Sequence, residues 1–214
     1  MSHIVLLGDS IFDNAAYVAG GPDVVQQLRE QLPAGWQATL KAVDGSTTSG
    51  VKAQLHRLPR DASHLVLSVG GNDALGQSGI LGEGANSVAD ALSRLAAIRE
   101  HFGRNYRVML DAVLAVGLPT AVCTIYDARY PEPSRQRLVV TALTLFNDCI
   151  TREAFTRGLP LIDLRLICDR EEDYANPIEP SVRGGKKIAA AIARLVAEHD
   201  FSRRRSEVFL QPRV

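Results

Sequence analysis

The apolar run Ile4-Val5-Leu6-Leu7 leads directly into Gly8-Asp9-Ser10. A short run of β-forming residues that ends on glycine reads as a strand entering a tight turn. In an open α/β sheet, ligands bind outside the carboxyl ends of the strands. A serine hydroxyl delivered there is a candidate nucleophile for acyl transfer. It needs a base to take its proton, and donors for the charge that builds on the substrate oxygen. Three more segments carry residue types for those tasks: Asp44-Gly45-Ser46-Thr47-Thr48, Gly70-Gly71-Asn72-Asp73 and Asn176-Pro177-Ile178-Glu179-Pro180-Ser181.

The elements around these segments alternate strand and helix. Strands are expected at His3–Leu7, Gln37–Val43, His64–Val69, Thr120–Thr124 and Pro160–Asp163. Several are nearly continuous apolar runs, as for parallel strands buried on both faces. Helices are expected at Asp23–Gln31, Thr48–His56, Asn86–Ile98, Tyr106–Val116 after a break at Gly103, Ser134–Arg157 and Ser181–Glu198. Apolar residues recur at helical spacing at Val88, Leu92, Leu95 and Ile98, and again at Leu138, Ala142, Leu145 and Ile150. Ser181 is the expected N-cap of the last helix, with Ile188, Ile192, Leu195 and Val196 facing inward. Strands alternating with helices predict a single-domain, three-layer α/β/α sandwich around a five-stranded parallel sheet. This domain takes up residues 1–200. Residues 201–214 form a basic tail, which either is disordered or docks through Val208, Phe209 and Leu210. On this frame the first three chemical segments fall at the carboxyl ends of strands, and the fourth falls just before the last helix.

Taken together, these segments resemble the SGNH, or GDSL, hydrolase family, named for a serine, a glycine, an asparagine and a histidine on successive loops. Gly8-Asp9-Ser10 matches the first block, Gly45 the glycine of the second, and Gly71-Asn72-Asp73 the third. Each tripeptide alone is a common turn sequence. Three in order at strand ends, spread over nearly the whole chain, are a specific signal. The resemblance implies a flavodoxin-like fold with strand order 2-1-3-4-5 and hydrolysis of carboxylic esters through an acyl-serine at Ser10. It also implies an oxyanion hole made by the Ser10 and Gly45 backbone N–H groups and the Asn72 side-chain amide. Asp9 is implied as a support of its loop.

The fourth block departs from the family. The usual Asp-x-x-His before the last helix is here Asn176-x-x-Glu179, although Pro180-Ser181 and Gly184-Gly185 still match the helix start. The five histidines, His3, His56, His64, His101 and His199, lie outside the four segments. Glu179 is therefore the expected base, with Asn176 hydrogen-bonding its carboxylate where the family aspartate would hold an imidazole. A glutamate near pH 4.3 is about two units weaker than histidine, and burial beside Pro177 and Ile178 would close part of that gap. An aspartate in place of Asn176 would repel the carboxylate. Asp13 and Asp73 are expected to cap nearby helices, and Asp127, Arg129 and Tyr130 follow the fourth strand on the same edge. Two other functions share the scaffold: a non-catalytic binding module and an acyltransferase.

Composition excludes several classes of function. Lys and Arg number 24 against 24 Asp and Glu, so no net field favours nucleic acid. No run approaches the roughly 18 apolar residues of a membrane span, and no signal segment is expected at the N-terminus. Cys123, Cys149 and Cys168 form no C-x-x-C pair and are expected as reduced, buried thiols in a cytoplasmic protein. No metal-ligand spacing, phosphate loop or dinucleotide fingerprint is present, so neither metal nor cofactor is expected. The implied partner is a small-molecule ester.

Overall fold

The computed structural model of the chain describes residues 2–210. Its centre is β1 (His3–Gly8), which is buried along its whole length. Alternate residues of a strand face opposite sides of a sheet. Ile4 and Leu6 accordingly enter one core, and Val5 and Leu7 the other. The strands β2 (Gln37–Leu40), β3 (His64–Ser68), β4 (Thr120–Cys123) and β5 (Leu161–Ile162) lie parallel with β1 in the order β2-β1-β3-β4-β5. This is the order the family resemblance implied. A sixth strand, Val208–Phe209, adds in parallel to β5 and replaces the five-stranded expectation.

The helices form the outer layers. The helices α1 (Val24–Gln31) and α7 (Val182–Glu198) cover one face, where Val24, Leu28, Ile188, Ile192 and Leu195 are buried. On the other face lie α2 (Val51–Leu55), α4 (Val88–Leu114) and α5 (Pro133–Arg157), with Phe102, Leu110, Phe146 and Ile150 in the core. Short helices α3 (Gly71–Gly76) and α6 (Leu164–Ile167) follow β3 and β5. Ser181 caps α7 through its hydroxyl, as expected, and Asp23 caps α1 in a reciprocal capping box with Gln26.

One helix expectation is corrected. The break at Gly103 does not occur, and α4 runs through it for 27 residues. A Cβ at Gly103 would lie 3.3 Å from Cys149 Sγ of α5, so this glycine allows two helices to approach closely rather than ending one. Of the two alternatives for the tail, disorder and docking, the second holds through residue 210. Phe209 is buried, Phe201 packs edge-on against His64 and His199, and His199 pairs with Glu207. Just before α7, β6 (Tyr174–Asn176) and β7 (Glu179–Pro180) form an antiparallel hairpin that the sequence pattern does not signal. These strands are too short to show any period in the sequence.

Candidate active site

Ser10 and Glu179 are 169 residues apart in sequence and meet at the carboxyl edge of the sheet. The Ser10 hydroxyl donates a hydrogen bond to Glu179 Oε1 at 3.0 Å. Both residues are buried, with 7% and 5% of their surface exposed. The second carboxylate oxygen, Oε2, is buried and has no hydrogen-bond partner among the described residues.

The Ser10 loop is held from below. Gly8 donates its N–H to Gln54 Oε1 and accepts from Gln54 Nε2, both at 2.8 Å. A Cβ at Gly8 would fall 1.7 Å from Ser68 O, so β1 and β3 leave no room for a side chain here. Asp9 folds back to accept from Ile11 N at 3.2 Å, which supports the turn as expected. Gly45 has φ +76°, a left-handed conformation that glycine adopts without strain. Its loop is fastened at both ends. Asp44 N donates to Asp13, and Thr48 donates from N and Oγ1 to the Asp73 carboxylate at 3.0 and 2.7 Å. Asp13 and Asp73, expected as caps of nearby helices, therefore hold the neighbouring loop, and Asp73 ties the second loop to the third. Asn72 Nδ2 donates to Ser46 O at 3.0 Å, which engages one of its two amide hydrogens. Among the described residues, no group accepts from the backbone N–H of Ser10 or Gly45.

Glu179 is placed by the hairpin. Its neighbours are fixed by Tyr126, whose hydroxyl donates to Ile178 O, and by Asn14, whose amide donates to Pro180 O at 3.2 Å. Asn14 is fully buried and also accepts from Val24 N at the start of α1. The other strand of the hairpin is anchored by Asp173, which is buried and paired with Lys187 at 2.6 Å. Asn176 does not take its expected place at the carboxylate. It is exposed, and its Oδ1 accepts from Ile178 N at 2.9 Å. An asparagine two residues before a free N–H closes a local turn, and here that local bond is made. Asp127 and Arg129 also turn to the hairpin: Tyr174 donates to Asp127 O, and Arg129 donates to Asp169 O and stacks on Tyr174. Nothing in the sequence marks Gln54, Asn14 or Tyr126 for these parts. All three act on backbone atoms, and only the capping geometry near Asn14 leaves any trace in the sequence.

Burial shapes the electrostatics. Desolvation pushes Glu179 up to about 7, against the opposing pull of the Ser10 hydrogen bond and with help from the charge on Asp44. Asp9 is pushed up to about 8 by burial, which outweighs the hydrogen bond from Ile11 N; the nearby Glu179 and Asp73 carboxylates add to the rise. A carboxyl near 7 accepts a proton about as well as an imidazole does.

The histidines lie elsewhere. His3 is at the amino end of β1, roughly 17 Å of strand from Gly8, and bonds Thr39 and Asp61. His64 bonds Ser63, and His199 bonds Glu207. His101 sits in the middle of the unbroken α4, not near a helix end, and bonds Asn105. The three cysteines are buried and unpaired, and burial raises each thiol. Among the described residues no cluster could hold a metal ion, and no helix is long and apolar enough to cross a membrane.

Ser10 and Glu179 open into a cavity of about 410 Å³. Its walls come from the Ser10 loop, Asn72 and α3, the turn Ser78–Gly82, the first half of α4, the segment after β4 and the first half of α5. Tyr126, Ala128 and Tyr130 contribute from the segment after β4; Asp127 and Arg129 do not.

A parallel sheet covered by helices on both faces, with a serine and a buried carboxylate at its carboxyl edge, defines a three-layer α/β protein. The model of the GDSL-like Lipase/Acylhydrolase family matches residues 6–199. The chain belongs to that family, whose members include esterases and lipases. Solved structures agree on the fold. An extracellular lipase from Streptomyces rimosus is 16% identical, with 94% of this chain and 100% of that chain covered and a TM-score of 0.64. Phospholipase A1 from Streptomyces albidoflavus is 16% identical, with 92% and 99% covered and a TM-score of 0.64. The acetyl xylan esterase AlAXEase is 17% identical, with 92% and 100% covered and a TM-score of 0.67. A search of curated proteins gives no match.

Proposed function

We propose that this protein hydrolyses carboxylic esters through an acyl-Ser10 intermediate, with Glu179 as the general base. The observation that carries the reading is the 3.0 Å hydrogen bond from the Ser10 hydroxyl to a buried carboxylate held near 7. Ser10 Oγ attacks the ester carbonyl carbon as its proton passes to Glu179 Oε1. Charge on the former carbonyl oxygen is met by the Ser10 and Gly45 N–H groups and by the Asn72 amide. The tetrahedral species collapses, and the leaving alkoxide takes the proton from Glu179. A water molecule then gives its proton to Glu179 and attacks the acyl carbon. Ser10 leaves with that proton, and the carboxylic acid departs. Asn176 acts on Glu179 through the backbone of the hairpin rather than through its carboxylate.

The unmet Oε2 supports this reading. A buried carboxylate with one free oxygen is costly to ionise, which keeps its proton affinity high. The three reduced thiols fit a cytoplasmic setting. The test is release of p-nitrophenol from short p-nitrophenyl esters. Wild type is expected to turn over and to acquire the acyl mass on Ser10. Ser10→Ala is expected to fall by about 10⁴-fold or more. No turnover across such a panel would favour a binding module, and product formed only with an added alcohol would favour an acyltransferase.

A further inference from the structure

The described residues that line the cavity include one cation, Arg135, near the start of α5. Its guanidinium lies over the Tyr130 ring, 4.1 Å from the centroid. Stacking uses the face of a guanidinium and leaves the N–H donors at its edge free. Among the described residues those donors meet no acceptor. Glu132, the acid beside it, is engaged as the helix N-cap by the Ser134 and Arg135 backbone N–H groups and makes no ion pair with the guanidinium. By contrast, Arg94, Arg99, Arg152 and Arg157 of α4 and α5 all hold carboxylates. The stack is also fastened. Tyr130 N donates to Gln136 Oε1 at 2.8 Å, and Gln136 Nε2 donates to Ala128 O at 2.5 Å, so the residue after Arg135 anchors the loop that carries the ring. A cation positioned before its ligand arrives loses less freedom on binding it.

Charge divides along the cavity. Asp9 and Glu179 are at the buried end with Ser10, and Arg135 is at the exposed mouth. Much of the remaining wall is apolar, including Ile98, Val139 and Ala142. An anionic group is repelled by the carboxylates and drawn to the guanidinium, so a substrate that carries one enters with its ester end foremost. A planar guanidinium matches a carboxylate through two parallel hydrogen bonds. One positive charge with Glu132 beside it suits a monoanion better than a phosphate dianion.

We infer that Arg135 is a specificity-determining residue, and that the half of the ester held in the cavity ends in a carboxylate. The substrate class is then a half-ester of a dicarboxylic acid, or a hydroxy acid esterified at its hydroxyl. This rests on the proposed ester hydrolysis at Ser10.

Two matched series test it. Monoethyl adipate, suberate and sebacate are each compared with the same ester bearing an amide in place of the carboxylate. Acetate esters of the ω-hydroxy acids of the same lengths are compared with their amides. At low salt, kcat/KM for carboxylate over amide is expected to reach about tenfold at the best length in one series. At an ionic strength of about 1 M, where the screening length is about 3 Å, that ratio is expected to fall severalfold. Arg135→Gln is expected to bring it to about one, and Arg135→Lys, which keeps the charge and loses the fork, to an intermediate value. Arg137→Gln, at an exposed arginine outside the cavity lining, is expected to leave it unchanged. A merely structural role for the Arg135–Tyr130 stack would move both members of a pair alike and leave the ratio as it is. A ratio below about threefold in both series, or one that survives Arg135→Gln, overturns the inference and leaves ester hydrolysis standing. If no ester is turned over, the proposed hydrolysis fails instead, and calorimetry decides the site. Adipamate, the half-amide, bound about tenfold more tightly than hexanamide by wild type but not by Arg135→Gln sustains it, and equal affinities overturn it.

Discussion

The loops of Ser10, Gly45 and Asn72 are tied to one another at short range, whereas Glu179 hangs on a hairpin secured from far away. Gln54 clamps Gly8, Asp73 holds Thr48, and Asn72 reaches Ser46. The Thr48–Asp73 and Asn72–Ser46 bonds join segments that follow β2 and β3, the two strands beside β1, and the Gln54 clamp fastens the end of β1 to α2. The hairpin has only two residue pairs of its own. Its position depends on Tyr126, Asn14 and the Asp173–Lys187 pair. In the proposed mechanism the charge-stabilising loops thus sit in a hydrogen-bonded frame, and the proposed proton acceptor sits on the hairpin, where a changed side chain disturbs fewer neighbours.

Substitutions in the two halves are expected to differ in kind. Glu179→Gln removes the proposed base and is expected to lower kcat by about 10²–10⁴-fold. Steady-state kinetics on p-nitrophenyl butyrate measures this, and a loss of less than about threefold would break the comparison. Asn72→Ala removes one oxyanion donor and is expected to cost about 10²–10³-fold, with the shape of the pH profile unchanged. A shifted profile would mean that Asn72 acts on the base.

Smaller effects sharpen the contrast. Asn14→Ala leaves Val24 N and Pro180 O without their buried partner, at about 1–3 kcal/mol of stability. Thermal unfolding should then fall by a few degrees for a chain of this size. The apparent pKa of kcat/KM should shift with it as the hairpin loosens. Asn176→Ala removes only an exposed local bond and is expected to cost less than about 1 kcal/mol. Its rate should stay within a few-fold of wild type. A large rate loss there would restore the side-chain contact to Glu179 that the structure does not contain.

The same two carboxyls make stability depend on pH. Burial raises Glu179 to about 7 and Asp9 to about 8, so between about pH 4 and pH 8 the folded protein binds protons that the unfolded chain has released. The stabilisation is fully present below about pH 4, the unfolded value, and is lost as pH rises through 7 and then 8. Each group adds a slope of up to about −1.4 kcal/mol per pH unit. Urea unfolding from pH 5 to pH 9 is expected to show this fall, and Asp9→Asn is expected to flatten its upper part.

The three loops proposed to hold the oxyanion are legible in the sequence because their residues are constrained locally. A glycine at φ +76° and a serine at the end of an apolar strand leave short, ordered traces. Glu179, the proposed base, is legible only by its position before α7. The groups that hold it are not, because Tyr126 and Asn14 act on backbone carbonyls more than 50 residues away. Gly103 misled for a related reason. A glycine that breaks a helix and one that lets a second helix approach look alike without knowledge of the partner, Cys149. The docked tail depends on pairing between Leu161 and Val208. Two residues per strand are too few to display a period.

The central claim is that Glu179 is the proton acceptor of Ser10, and the pH dependence of kcat/KM for p-nitrophenyl butyrate tests it most directly. Wild type is expected to rise with unit slope and level off with a midpoint near 7, the value to which burial raises this carboxyl. Glu179→Gln is expected to lie far below it and to lack that limb. A Glu179→Gln variant that keeps the wild-type rate and the same limb would contradict the account.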